Sequence, residues 1–600
     1  MADNNVRAFY LDSTRDLQNK LQIGKKRSAF LSWMRLLSIV GPLLVIYLVW
    51  PLPTLLVFFL AVIVIAIFLR LVKAAADVQE EIKHNERLLA INENEVKILD
   101  GHYHQQYDGV IFLDEFLLPD NDLDLFGKAS LFQYINRAAS EQGRIALAKA
   151  LTTSTNRNEV LQKQEAVKEL AALPAWRQQL QAYSMAGDIN KATEQKVLAW
   201  MQNSSNSFGG IFWQVIRWTI PAISFTVLGL YIADRLNDQQ FTTALILLLA
   251  FVYTFYKKIT EHYIELSKVL PQLKAFGPML KCIETADFKS AWLLKYQLLL
   301  KEDAAIASKE IASLNAILQR FDYRLNPVVH VPLSVFLFWD LQQVLALEKW
   351  RKRQTGHIQH WFEALGNFEM IVSFANLSFN QPSWNYPVIS ETWFQLECRQ
   401  IGHPLIGENK LVSNDFAMHQ QPCIALVTGS NMAGKSTFLR SIGANMALAM
   451  TGAPVRAAHM LVPVVKTMSS MRIADNLEEE TSTFYAELKK IKRIVEAVQS
   501  GEQVFILVDE MLRGTNTLDR HKGSEALIRQ LIRHNAVGII ASHDVALASL
   551  EKEYPGQLYN YHFDSVIKNE EIVFDYLMKN GVCTSTNASL LMKKIGIELE

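Results

Sequence analysis

This sequence holds too few cysteines for a disulfide framework. Only four of its 600 residues are cysteine, and Cys282, Cys398, Cys423 and Cys583 lie far apart. Such spacing suits neither a metal-ligand set nor a small secreted scaffold, so they read as free thiols of a reducing compartment. An excess of either charge is missing too. Lys plus Arg and Asp plus Glu both count 60, a formal net charge of zero. That excludes a global electrostatic footprint for nucleic acid and leaves only a local patch open. No long internal repeat or low-complexity linker stands out. The first thirty residues carry Arg7, Arg15, Lys20, Lys25, Lys26 and Arg27, are too polar for a signal-peptide n-region, and show no small-residue cleavage site.

What is abundant is apolar residue, at 50%, and it is unevenly placed. From Leu36 to Leu69 no residue is charged, and Pro51-Leu-Pro53 divides the run into two halves. This predicts a helical hairpin. Each half is just short of the ~17 to 25 residues of an ordinary span, with Trp33, Arg35 and Arg70 available as interfacial anchors. A buried or re-entrant hairpin is the alternative. A second pair, Trp218 to Ala233 and Phe241 to Tyr256, is separated by DRLNDQQ and followed by Lys257 and Lys258. The basic residues flanking both pairs lie on one side, which the positive-inside rule makes cytoplasmic. The expectation is four spans, with both termini in the cytoplasm and the chain in the cell membrane.

Between and after these hairpins, at about 74 to 208 and 260 to 379, apolar residues recur three and four apart among Glu, Lys, Gln and Ala. LQKQEAVKELAAL (Leu161 to Leu173) and EIASLNAILQRF (Glu310 to Phe321) are examples, and both predict packed helices. The run Lys349-Trp-Arg-Lys-Arg353 reads as a solvated face. From about Asn385 short apolar strands alternate with helices. VFILVDE (Val504 to Glu510) and VGIIASHD (Val537 to Asp544) read as buried parallel strands ending in polar groups. LYNYHFDSV and EEIVFDYLM, flanking Ile567-Lys-Asn569, predict an antiparallel edge hairpin, and Ser589 to Ile597 a closing helix.

The chemistry centres on CIALVTGSNMAGKSTFL (Cys423 to Leu439). An apolar strand breaks at Gly429, Ser430, Asn431, Met432, Ala433, Gly434, Lys435 and Ser436, which fits the P-loop template, and a helix-forming segment with Thr437 follows. Glycines let backbone N–H groups curl around phosphates at a helix N-terminus, and Lys435 can reach the β and γ phosphates of ATP. Ser436 and Asp509 are the candidate Mg2+ ligands. Glu510 is placed to orient or deprotonate the attacking water, and His543 to sense the γ-phosphate. The loop Arg513-Gly-Thr515-Asn-Thr517-Leu-Asp519 suits an interface near the nucleotide.

TGSNMAGKSTFLR (Thr428 to Arg440), DNLEEETSTFYAEL (Asp475 to Leu488), LVDEMLRGTNTLD (Leu507 to Asp519) and ASHD (Ala541 to Asp544) together resemble the ATPase domain of the MutS mismatch-repair family. YLMKNGVCTSTNASLL (Tyr576 to Leu591) is similar to that domain's closing segment. DLDLFGKASLFQYINRAASEQGRIALAKAL (Asp122 to Leu151) and RQIGHPLI (Arg399 to Ile406) extend the resemblance upstream. The resemblance implies a homodimer in which Ser482 of one subunit approaches the nucleotide of the other, and it implies DNA as partner. Two parts depart from the family. No mismatch-reading domain fits ahead of Asp122, where a membrane hairpin stands instead. The place of the DNA clamp is taken by the second hairpin. At single positions, Glu480-Thr481 replaces the usual Gly-Arg, and Leu512 replaces the usual Gly.

The expected architecture is an α/β P-loop ATPase domain, a mostly parallel sheet flanked by helices, preceded by an all-α lever and core domain interrupted by transmembrane hairpins. The expected boundaries are a tail at 1–28, hairpins at 29–72 and 210–257, helical parts at 73–209 and 258–384, and the ATPase at 385–600. The expected function is a membrane-anchored ATPase of DNA-repair type. The alternative is an ATP-driven membrane machine or scaffold that does not bind DNA. A transporter is weaker, because the spans hold no charge to line a polar path.

Overall fold

Burial at helical spacing, not a change of composition, decides where the first helix begins. A computed structural model describes residues 2–48, 54–115, 121–187, 189–202, 208, 210–256, 259–260, 270–301, 306–430, 432–471, 483–568 and 571–583. Val6, Tyr10, Leu17 and Leu21 are buried and lie on one face of α1 (Ala2–Leu48). Residues 1–28, expected as a tail, are therefore helical from Ala2. α1 runs antiparallel to α2 (Thr54–Leu99): Arg7 pairs with Asp100, Lys25 lies 4.0 Å from Glu86, and Leu21, Val78 and Ile82 fill the seam. Farther along, the apolar parts turn outward, with Trp33, Leu37, Leu43, Phe59, Ile65 and Leu69 exposed.

The second apolar unit pairs α3 (Ile211–Ile232) with α4 (Asp238–Thr254). Asn237 starts α4 through a capping box with Gln240, whose amide N–H it accepts at 2.8 Å, satisfying N–H groups that the helix leaves open. Against α3 packs α5 (Pro327–Leu337), a short apolar helix within the stretch at 260 to 379 expected to be helical; Ser224 Oγ donates to Val335 O at 2.6 Å. The chain then bends by 77° into α6 (Trp339–Gln354). His330 Nε2 and Asp340 Oδ2 meet across that bend at 3.0 Å.

Among the described residues, two helices are long and apolar enough to cross a membrane: the part of α2 from Phe59, and α3. Four spans were expected. α4 has 17 residues, at the lower limit for crossing, and the apolar end of α1 leads into Pro51 to Pro53, which lie outside the described residues along with Lys257 and Lys258. α3 also includes Arg217, ahead of the expected span, where its Nε donates to Gln342 at 2.6 Å. The basic run at 349 to 353 is divided by the helical period. Trp350 and Arg351 turn inward, with Arg351 paired to Glu348 at 2.7 Å, while Lys349, Lys352 and Arg353 face out.

α7 (His357–Asn380) is buried along most of its length and leads into the α/β half. Two sheets form there. The first is four-stranded, in the order β1 (Val388–Ile389), β5 (His459–Val462), β2 (Leu396–Ile401), β3 (Asn414–Met418). The second has six strands, in the order β10 (Glu571–Asn580), β9 (Leu558–Lys568), β4 (Cys423–Gly429), β8 (Val537–Ser542), β7 (Val504–Asp509), β6 (Lys466–Ser470). Only β10 runs antiparallel to its neighbour. β4, β7 and β8 are buried at every position, as continuously apolar strands covered on both faces must be. The covering helices are α8 (Lys435–Met450), α9 (Thr483–Gln499) and α10 (Thr517–Arg533). One contiguous apolar core runs from Phe112 through the helical region to Phe563. The closing helix expected at Ser589 to Ile597 lies outside the described residues.

Candidate functional site

The register of the large sheet brings the polar strand ends together. Val427 pairs with Ala541 and Thr428 with Ser542 across β4 and β8, while Asp509 of β7 pairs with Ala541 on the other side. The loop after Gly429, the Asp509-Glu510 pair and His543 thus sit along one edge of parallel strands, where ligand sites of such sheets form.

Gly429 ends β4 with φ 146°, and a Cβ there would stand 2.7 Å from the carbonyl oxygen of Phe563. Only glycine fits both conditions. Gly434, at φ 111°, caps α8. Between them Ala433 is buried and Met432 projects outward, 83% exposed; Asn431 lies outside the described residues. Lys435, the first residue of α8, is buried, and its Nζ donates to Gly429 O at 2.8 Å and Ser430 O at 2.9 Å. Burial lowers its pKa from the ordinary lysine value, against the opposing pull of Asp509 and Glu510. Ser436 and Thr437 follow in the first turn of α8, next to the N-terminal N–H groups that favour anions.

Asp509 is buried, and its Oδ1 has no hydrogen-bond partner among the described residues. A buried carboxylate oxygen left open in this way is costly unless something positive meets it. It ends β7, one strand away from β4 across β8, at the same edge as the loop that leads to Ser436, and its charge is felt by Lys435, so the residues fit a divalent cation. Glu510 takes φ 55°. Its carboxylate contacts His543 Nε2 on one oxygen and Arg513 Nε at 2.8 Å on the other. The bond to His543, more than any other cause, holds the Glu510 carboxyl below the usual range, so it is ionised at neutral pH and able to accept a proton.

The loop after Glu510 is fastened by α9. Glu487 accepts the N–H groups of Leu512 and Arg513, the latter at 3.0 Å, and a Cβ at Gly514 would stand 2.5 Å from Phe484 Cβ. Leu512 stands where the resemblance leads one to expect glycine, and its φ is 57°. Left-handed backbone costs a residue with a Cβ roughly 1 to 2 kcal/mol. Its side chain is buried over Gly523 of α10, whose missing Cβ would lie 2.5 Å from Leu512 Cδ1. Burying a leucine contributes about 1.5 to 3 kcal/mol, enough to offset the strain. Ser482 lies outside the described residues.

The pattern reading overlooked the wall on the other side of the glycine-rich loop. A cleft of about 570 Å³ opens there between Gly434, Thr437 and Phe438 on one side and Leu411, Val412, Asn414, Phe563 and Tyr576 on the other. Its volume suits a planar ring joined to the phosphates. The small sheet brings residues 401–414 there; 401–406 lie in the RQIGHPLI stretch that carries part of the family resemblance, whereas no short motif marks 411–414. His403 lines the same cleft, its Nδ1 accepting the Leu405 N–H at 3.2 Å. Burial pushes the imidazole down to about 4. The folded chain therefore keeps His403 neutral at pH values where the unfolded chain binds a proton. This stability is full above about pH 6.5 and is lost as pH falls toward 4, in total roughly 3 kcal/mol. Thermal unfolding followed from pH 7.5 to 4.5 is expected to fall less steeply in His403→Gln than in wild type; parallel curves would contradict this account.

Residues 425–596 match MutS domain V. Over 228 residues the chain is 30% identical to the DNA mismatch repair protein MutS of Thermotoga sp. (strain RQ2), covering 37% of this chain and 28% of that relative. It is 30% identical over 230 residues to the DNA mismatch repair protein MutS of Listeria monocytogenes serotype 4b, covering 37% and 26%. With the DNA mismatch repair protein MutS of Ehrlichia chaffeensis it shares 32% over 192 residues, covering 32% and 23%. The chain thus spans about a quarter of the length of these curated relatives.

Proposed function

From the premise that this chain is a member of the MutS family by its domain V, we propose that it is a membrane-anchored ATPase of DNA-repair type. It binds ATP with Mg2+ and hydrolyses it in a site completed by a second copy. The observation that carries this reading is the convergence at one sheet edge of the glycine-rich loop, the open Asp509 oxygen and the Glu510–His543 pair.

In this reading the backbone of 429–434 and Lys435 hold the triphosphate, and Ser436 and Asp509 hold Mg2+. Held by Ser436 and Asp509, Mg2+ would supply positive charge to offset that of the phosphates. Glu510, ionised and steered by His543 and Arg513, takes the proton of the attacking water. His543 keeps Glu510 in place and offers its ring toward the same edge. Ser482 of the second copy completes the site, as the family resemblance implies.

Membrane anchoring rests on the exposed apolar faces of α1 to α4, which would be costly in water over so large a contiguous area. The ATPase half then lies on the cytoplasmic side, where the flanking basic residues are. DNA enters through the family alone. The second reading, an ATP-driven membrane machine without DNA, draws on the balanced charge. Full-length protein reconstituted in phosphatidylcholine vesicles tests these readings together. It should stay with the vesicles through an alkaline wash and hydrolyse ATP. Stimulation by duplex DNA that weakens steeply with added salt selects the DNA reading, since phosphate contacts release counterions; turnover indifferent to DNA selects the second. Release by the wash, or no turnover, overturns the proposal.

A further inference from the structure

Asp122 lies far from the glycine-rich loop in sequence, in the segment between α2 and the helical region. Its side chain is 1% exposed, and three elements of the α/β half meet on it. The Met471 N–H, at the end of β6, donates to Asp122 Oδ2 at 3.0 Å. Lys490 Nζ of α9 stands 3.5 Å from Asp122 Oδ1. Arg440 Nε of α8 donates to the Asp122 carbonyl oxygen at 3.2 Å, and Arg440 also lies 3.4 Å from Asp124.

These contacts place Asp122 behind the catalytic edge. Lys490 sits one helical turn beyond Glu487, so fixing one fixes the other. Glu487 in turn holds the N–H groups of Leu512 and Arg513, and Arg513 holds Glu510. An ion pair this buried is strongly destabilising to break from one side, because the remaining charge is left unpaired. It is therefore a stiff fastening between α9 and the segment ahead of the helical region.

We infer that Asp122 is a positioning residue for Glu510: through Lys490 and α9 it sets the height of Glu487, and thereby the loop that presents the general base. This rests on the assignment of Glu510 above. The helical region would then reach the base through this carboxylate. Asp122 is in the segment that runs on to Arg137, whose guanidinium is bonded to the buried Glu95 of α2, so the first hairpin's base abuts the same segment.

The test uses full-length protein and the variants Asp122→Asn and Lys490→Gln, with hydrogen exchange of the Leu512 and Arg513 amides read in the absence of nucleotide. Asp122→Asn keeps side-chain volume, and Lys490→Gln removes the charge on a shorter polar side chain. Exchange at these two amides is expected to rise at least tenfold while that of β8, residues 537–542, stays within twofold of wild type. In the same samples, turnover should fall about tenfold with ATP affinity changed less than threefold. Unchanged exchange at Leu512 and Arg513 overturns the inference, as does a uniform rise that includes β8. Exchange that responds as expected in a protein that never hydrolyses ATP would leave the positioning intact and refute only the catalytic assignment of Glu510.

Discussion

Glu510→Gln is expected to leave ATP binding within about threefold of wild type and to slow hydrolysis by roughly 10² to 10⁴, the range a positioned general base contributes. Gln keeps the size of the side chain and an oxygen to accept from Arg513 Nε, now 2.8 Å away. What it loses is the capacity to take a proton. The wild-type carboxylate is held below its usual range chiefly by His543, so it stays ionised through neutral pH and well into acid. Its contribution to turnover is therefore present above the ordinary carboxylate range and is lost only as pH falls through the depressed value. Single-turnover hydrolysis beside equilibrium binding of ATP measures both quantities. Equal turnover by the two proteins would refute Glu510 as the base.

The second large effect falls on binding. Lys435→Ala is expected to weaken ATP binding at least ~10²-fold, the scale of removing one preorganised charged donor from a site sheltered from water. Stability should fall as well, by about 1 to 3 kcal/mol, because Lys435 Nζ satisfies the carbonyl oxygens of Gly429 and Ser430 and buried acceptors left open are costly. Lys435→Arg should not restore affinity, since the guanidinium is larger and flat where the pocket holds a compact ammonium ion. Titration with ATP and thermal unfolding read the two effects separately. Affinity within threefold of wild type would mean that residues 429–436 are only a structural turn.

The strand ends show how far local pattern reaches. VFILVDE and VGIIASHD were legible because fully buried parallel strands are continuously apolar, and their polar ends announce the edge that carries the candidate site. The glycines at 429 and 434 were legible because their φ values of 146° and 111° exclude other residues. Asp122 was not. A single acid 318 positions from its partner Arg440 has no periodicity and no spacing rule. RQIGHPLI marked the neighbourhood of His403 without placing it, and the wall at 411–414 carries no motif: the small sheet brings both to the loop, and strand order is a long-range property. The packing of α5 against α3 escaped because its 11 residues lie in a stretch whose period predicts packed helices and no partner. Within the tail expected at 1–28 the polar residues lie on the solvated face of α1, while Tyr10, whose OH donates to Asn380 at 2.7 Å, faces inward, a packing that no local pattern announces.

The sequence by itself determined the local chemistry: a glycine-rich loop between strand and helix, an acidic pair at a strand end, the apolar runs, and the family the motifs resemble. These follow from rules that act over a few residues, namely backbone sterics, side-chain period and helix-terminal charge. Only the tertiary structure decided what surrounds that chemistry. It set Leu512 over Gly523 so that burial offsets a left-handed backbone, turned Arg351 and Trp350 inward, and brought Asp122 beneath α9. Each depends on pairing between segments far apart in the chain. The free energy of such a pairing belongs to the packed interior, not to either segment alone.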